Sequence, residues 1–127
     1  MTDAPLVMWL SDLSRKDGDK VGGKNASLGE MICNLRQAGI RVPGGFATTA
    51  TAYWQFLDAN DLRPKIADQL ARLEDDYRNV DAVGQAIREL ILGGEFPQPL
   101  ADAITRAYGD MAARLERADP AVAVALL

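Results

Sequence analysis

Histidine is absent from this sequence. With it go the commonest general base near neutral pH, the usual zinc ligand and any phosphohistidine. Cysteine occurs once, as Cys33, so no internal disulfide can form, which fits a reducing compartment. Cys33 lies beside an apolar stripe in an expected helix and is read as a small buried hydrophobe, not a nucleophile. No apolar run approaches the roughly 20 residues of a membrane span, and Met1-Thr2-Asp3-Ala4-Pro5 lacks the basic start of a signal peptide. A cytoplasmic protein with no membrane contact is expected. An excess of positive charge is also lacking: 14 basic and 18 acidic residues, interspersed, give a net charge of −4 and no footprint for nucleic acid. What is present is apolar content, 48% of 127 residues, enough to build one domain or a piece of a larger one.

The chain is organised around Val21-Gly22-Gly23-Lys24-Asn25-Ala26-Ser27-Leu28-Gly29-Glu30-Met31. Gly22 and Gly23 can take backbone angles that a side chain forbids, which lets several amides point one way and form an anion-binding concavity. Ser27 with Glu30 three residues on reads as a capping box, so a helix is expected to begin near Asn25 to Ser27. Its N-terminus offers unpaired N–H donors and partial positive charge, with Lys24 beside them, and a phosphate is the natural partner. Taken alone, a bare Gly-Gly-Lys is better explained by a tight turn with a solvated lysine. Gly18 to Lys24 also fits the opening of a P-loop, G-x-x-x-x-G-K. There, however, Asn25 stands where the loop needs a Ser or Thr hydroxyl for magnesium, and Asp19 and Lys20 add charge, so the P-loop reading is rejected.

The longer stretch says more. Lys20 to Met31, followed by Val42-Pro43-Gly44-Gly45-Phe46-Ala47-Thr48-Thr49, resembles the N-terminus of the phosphoenolpyruvate synthase (pyruvate, water dikinase) family, over about Leu6 to Val124. Pyruvate, phosphate dikinases and rifampicin phosphotransferases share the first motif; the second, with Gln55-Phe56-Leu57, looks most like the synthase. The resemblance implies the first α/β lobe of an ATP-grasp nucleotide-binding domain over residues 1–127, with ATP and Mg2+ as cofactors. It implies that Lys24 contacts ATP phosphates, that Gly22 and Gly23 shape the turn, and that the Gly44-Gly45-Phe46 turn lies near the nucleotide. Asn25 and Ser27 stay open between phosphate contacts and helix caps. The implied reaction turns ATP, pyruvate and water into phosphoenolpyruvate, AMP and phosphate. Phosphate passes through a histidine on a swivelling domain that this sequence does not contain. The family pattern continues Val-Arg-Ser-Ser-Ala, with an ATP-binding arginine, where Val124 is followed by Ala125-Leu126-Leu127. A frameshift is one hypothesis for this ending: codons for Arg-Ser-Ser such as CGC-TCC-TCC, displaced by an inserted G, read as Ala-Leu-Leu. The chain is therefore expected to be a truncated piece. It would lack the second lobe, the carboxylates for magnesium and the pyruvate site, and be unable alone to make phosphoenolpyruvate.

Along the chain, Leu6–Leu10 reads as a strand and Ser11 to Asp19 as a connection. Leu28, Met31, Ile32 and Leu35 mark the buried face of a helix from about Ala26 to Ala38, stopped by Gly39. Ile40-Arg41-Val42 reads as a strand ended by Pro43, and Phe46–Thr49 as a brief extended segment. Thr48 or Thr49 caps a helix whose Tyr53, Trp54 and Phe56 are read as core. Pro64 suits a first helical turn, with Ile66, Leu70, Leu73 and Tyr77 as one stripe. Glu74-Asp75-Asp76 is a solvated helix face, not a metal site, because neighbours on a helix do not converge on one ion. Asp81 caps a helix carrying Val83, Ile87, Leu90 and Ile91 and ended by Gly93-Gly94. Leu100, Ile104, Tyr108, Met111 and Leu115 mark a last helix, and Ala121–Val124 a last strand.

The expected fold is α+β. A small sheet of Leu6–Leu10, Ile40–Val42 and Ala121–Val124 is covered by about five helices, with one parallel crossover through the Ala26 helix. Two classes of function follow. One is the ATP-binding lobe of a dikinase. The other is a non-catalytic interaction module, or a gene fragment, whose exposed sheet edge pairs with the remainder of a dikinase or with a second copy of itself.

Overall fold

The computed structural model describes residues 4–40 and 42–114. They form two short strands, β1 (Val7–Trp9) and β2 (Phe46–Thr48), and six helices: α1 (Gly18–Val21), α2 (Gly23–Gln37), α3 (Ala50–Ala59), α4 (Leu62–Ala71), α5 (Val80–Leu92) and α6 (Gln98–Arg114). The class is α+β, as the sequence pattern implies. The chain divides into two compact units, Met1–Tyr53 together with Gln98–Leu127, and Trp54–Pro97.

In the first unit β1 and β2 pair antiparallel, Val7 opposite Thr48, Met8 opposite Ala47 and Trp9 opposite Phe46. The Leu10 N–H extends the ladder to the Gly45 carbonyl at 2.9 Å. Trp9 and Phe46 meet edge to face across this pair, ring centroids 5.8 Å apart, a geometry that suits the ring quadrupoles. Beneath lies a core of Leu13, Val21, Ala26 and Ala47, with Met8 and Leu10 packed on it. Helix α2 turns Ala26, Gly29 and Ile32 inward. A Cβ on Gly29 would stand 2.6 Å from the Leu13 Cβ and 2.8 Å from the Leu10 carbonyl oxygen, so only glycine lets the helix lie this close to the Leu10–Leu13 segment. At its far end Gly39 takes φ 81. The N–H of Gly39 bonds to the Arg36 carbonyl and that of Ile40 to the Leu35 carbonyl, the paired bonds of a Schellman stop. Thr49 caps α3 as expected: its buried Oγ1 accepts from the Ala52 N–H (3.2 Å) and donates to the Pro5 carbonyl (2.7 Å).

The second unit is helical, with α4 packed on α5. Leu57, Leu62 and Val83 are buried in it. Asparagines tie its loops. Asn79 donates to the Arg72 carbonyl (2.8 Å) and accepts from the Glu74 N–H (2.9 Å). Asn60 donates to the Glu95 carbonyl (2.9 Å) and accepts from the Glu95 N–H (2.8 Å).

Several expectations are corrected. Ile40 and Val42 lie outside any strand, because the Ile40 N–H is already used to close α2 and Pro43 has none to give. The chain returns to β1 further on, at Phe46, and antiparallel, so the parallel crossover is replaced by a returning strand. Helix α2 buries its small residues, and Met31, expected inside, is 47% exposed. Cys33 is exposed, its sulfur 3.7 Å from the Gln37 Nε2. Tyr53 and Trp54 are exposed, the Trp54 ring being covered on one face by the Arg63 guanidinium at 4.1 Å. Helix α4 ends at Ala71, so Tyr77, at φ 58, and the Glu74–Asp76 acids belong to a turn in which Arg78 pairs with both Glu74 and Asp76. Asp81 sits in the first turn of α5, whose N-cap position is Asn79. Leu115 and the expected strand Ala121–Val124 lie outside the described residues.

Candidate functional site

The Gly-Gly-Lys motif forms the joint between α1 and α2. Helix α1 is a single turn that closes with the Gly22 N–H on the Gly18 carbonyl at 2.8 Å. Gly22 then takes φ 87 and ψ 154, a region essentially reserved for glycine. That single residue lets the chain leave one helix and enter the next at Gly23. The first bond of α2 runs from the Ala26 N–H to the Gly22 carbonyl (3.1 Å). The amides of Gly23, Lys24 and Asn25 precede it, and they have no backbone acceptor among the described residues. Lys24 is exposed and makes no ion pair with a described residue. A cation therefore stands beside three free amides at the positive end of a long helix, the arrangement that receives an oxyanion.

The capping box expected from Ser27 and Glu30 is not formed, and α2 begins at Gly23 with Gly22 as its N-cap. Glycine supplies the change of direction, so no side-chain cap is needed. Ser27 is exposed in the second turn. Glu30 instead accepts from the Arg15 N–H at 3.1 Å. The box that does form lies upstream, where Ser14 and Asp17 match the same S-x-x-[DE] spacing: the Ser14 N–H donates to Asp17 at 2.9 Å and the Lys16 N–H to Ser14 Oγ at 3.3 Å. The Ser14 backbone N–H, and then Lys20 at 3.4 Å, hold the Asp17 carboxyl below its usual range. The Asn25 side chain donates to the Val21 carbonyl at 2.9 Å, so it serves the end of α1 and fastens the joint that presents Lys24. Sequence reasoning left this role unstated, since an asparagine two residues past a double glycine reads first as a cap of the helix that follows.

The second motif lies elsewhere. Arg36, in the last turn of α2, places its Nη2 3.6 Å from where a Cβ of Gly44 would be. Positions 24 and 36 are separated by about 18 Å along a helix axis. The Gly44-Gly45-Phe46 turn thus lies beside the Arg36 side chain, and through the Leu10 N–H on the Gly45 carbonyl it joins the segment that packs on Gly29. Among the described residues no group of three or more Cys, Asp or Glu side chains is placed to hold a metal ion, and no helix is long and apolar enough to cross a membrane.

A family described as pyruvate phosphate dikinase, AMP/ATP-binding domain, matches residues 18–125. The chain is 48% identical over 119 residues, 93% of its length, to a phosphoenolpyruvate synthase of Neisseria meningitidis serogroup B, of which the match covers 15%. It is 45% identical over 120 residues, 94% of its length, to a phosphoenolpyruvate synthase of Escherichia coli K12, again covering 15% of that protein. With a phosphoenolpyruvate synthase of Aquifex aeolicus the identity is 47% over 107 residues, 84% of this chain and 12% of that protein. The chain thus spans about 15% of the length of the first two of these relatives.

Proposed function

The chain belongs to the family of pyruvate phosphate dikinase AMP/ATP-binding domains, and from that premise we propose that it is the part of a phosphoenolpyruvate synthase-like dikinase that holds the phosphates of ATP. The observation that carries this reading is the exposed Lys24 beside the unbonded amides of Gly23, Lys24 and Asn25, presented by the φ 87 joint at Gly22. Such a site binds and orients a polyphosphate by charge and N–H donation. Phosphoryl transfer depends on that positioning together with electrostatic stabilisation, which a magnesium ion on the nucleotide supplements. The carboxylates that hold magnesium are proposed to come from a second lobe. The described residues supply Lys24 and the amides, and Asn25 as the fastening of their turn. Pyruvate as the acceptor, phosphoenolpyruvate as the product and the cytoplasm as the site of action are proposed for the whole protein, supported by the same kinship. Residues 1–127 are proposed to be the first lobe of the nucleotide domain.

Calorimetric titration of the chain with Mg-ATP tests the reading. Binding is expected in the wild type, weakened about tenfold or more in Lys24→Ala through loss of one charge-assisted contact. The thermal midpoint should not change, since Lys24 is exposed. Equal binding by both proteins overturns the assignment of Lys24. No heat from either, with a mass that rises with concentration, favours an interaction module that pairs through an edge of the sheet, which has two strands among the described residues.

A further inference from the structure

The last turn of α2 borders open space. A groove of about 400 Å3 opens there, lined by Trp9, Ser11, Arg36, Gly44, Gly45 and Arg114 among others. Among the described residues that line it none is acidic, in a chain whose net charge is −4. The two arginines arrive from different elements, Arg36 from the last turn of α2 and Arg114 from the last residue of α6. Neither forms an ion pair within the described residues. The Arg114 guanidinium lies over the Trp9 ring at 3.7 Å. Stacking fixes the plane of the fork and covers one face, while the N–H groups in its plane stay open at the edge. Arg36 stands against the backbone of Gly44, where the absence of a side chain keeps the groove open. A held guanidinium, with a second one and a serine hydroxyl lining the same groove, matches an oxyanion that accepts two parallel hydrogen bonds.

We propose that this groove is a second oxyanion site, for a small phosphate- or carboxylate-bearing molecule gripped by Arg36 and Arg114. Of its two arginines, Arg36 stands twelve residues along α2 from Lys24, about 18 Å of helix axis. It does not depend on the nucleotide reading, and its failure would leave that reading untouched.

Two-dimensional amide NMR of the chain, titrated separately with inorganic phosphate and with malonate, reads both ends of α2 at once. Saturable shifts of the Gly44 and Gly45 amides by either anion support the site, and the tighter of the two probes identifies the chemistry it takes. Arg36→Gln and Arg114→Gln should each weaken that response about tenfold, while Lys24→Gln should leave it unchanged. Arg114→Lys, which keeps the charge and loses the fork, should also weaken it, and it serves as the second variant should the glutamine fail to fold. The proposal is overturned by shifts confined to Gly23–Asn25, by no saturable shift with either anion, or by arginine variants that respond like the wild type.

Discussion

The two units are built by different means. The first, beside side-chain caps such as Thr49, depends on backbone proximity: Gly29 lets α2 touch the Leu10–Leu13 segment, and Gly22 bends one helix into the next. The second relies on side chains that reach for the backbone, Asn60 and Asn79 above all, and on surface pairs such as Arg63 with Asp58 and Arg72 with Asp68. Exposed pairs of this kind contribute little, generally under about 1 kcal/mol each. The lesson concerns tolerance. A chain segment pressed against another cannot accept one extra carbon, whereas a segment tied by hydrogen bonds can change most of its surface.

The same substitution in each unit gives the largest contrast. Gly29→Ala should destabilise by about 1–3 kcal/mol, because the new methyl meets Leu13 and two carbonyl oxygens that cannot step aside. Gly84→Ala, in the middle of α5, meets only the far end of the Arg88 side chain at 3.3 Å and should stabilise by roughly 0.5–1 kcal/mol through helix propensity. Urea midpoints of the two variants decide it, and equal shifts of one sign would erase the distinction. Next in size, Thr49→Val removes a buried cap and a bond to Pro5 and should cost about 1–2 kcal/mol. Asn60→Ala, which removes ties near the surface, should cost about 1 kcal/mol or less. A larger loss from Asn60 than from Thr49 would reverse the ranking.

The smallest effect is a pH dependence. Asp17 has its folded pKa lowered by the Ser14 N–H and by Lys20. Its contribution is therefore complete above the ordinary aspartate value of about 3.9 and is lost as pH falls through the lower folded value. Thermal midpoints of Asp17→Asn and wild type, followed from pH 6 down to about pH 2, should converge at the acid end. A gap that stays constant would show that the carboxylate charge does not matter to the turn.

Much of this was legible in the residues because glycine and threonine act locally. Gly22 before a lysine, Gly39 after a helix and Thr49 before one each fix a nearby backbone feature, and all three stand where the pattern puts them. Long-range choices were less legible. The pairing of Trp9 with Phe46 depends on where Pro43 and the closing bonds of α2 leave the first free amide, which no periodicity reveals. On α2, Ile32 is buried where periodicity puts it and Leu28 and Leu35 are half-buried, but Met31 is exposed, and the closest contacts fall on Ala26 and Gly29, whose small size no hydrophobic pattern flags. Trp54 escaped in the same way: Arg63, beyond the end of its helix, covers the ring that periodicity assigns to the core.

Cys33 sits on the outside of α2, and it is the sole thiol in the sequence. Air oxidation can therefore join two chains and never three, so a covalent dimer would imitate genuine self-association in any weighing experiment. Reductant, or Cys33→Ser, removes that artefact. The same accessible sulfur accepts a single maleimide dye, which would ride on the helix linking the two basic ends and report on either.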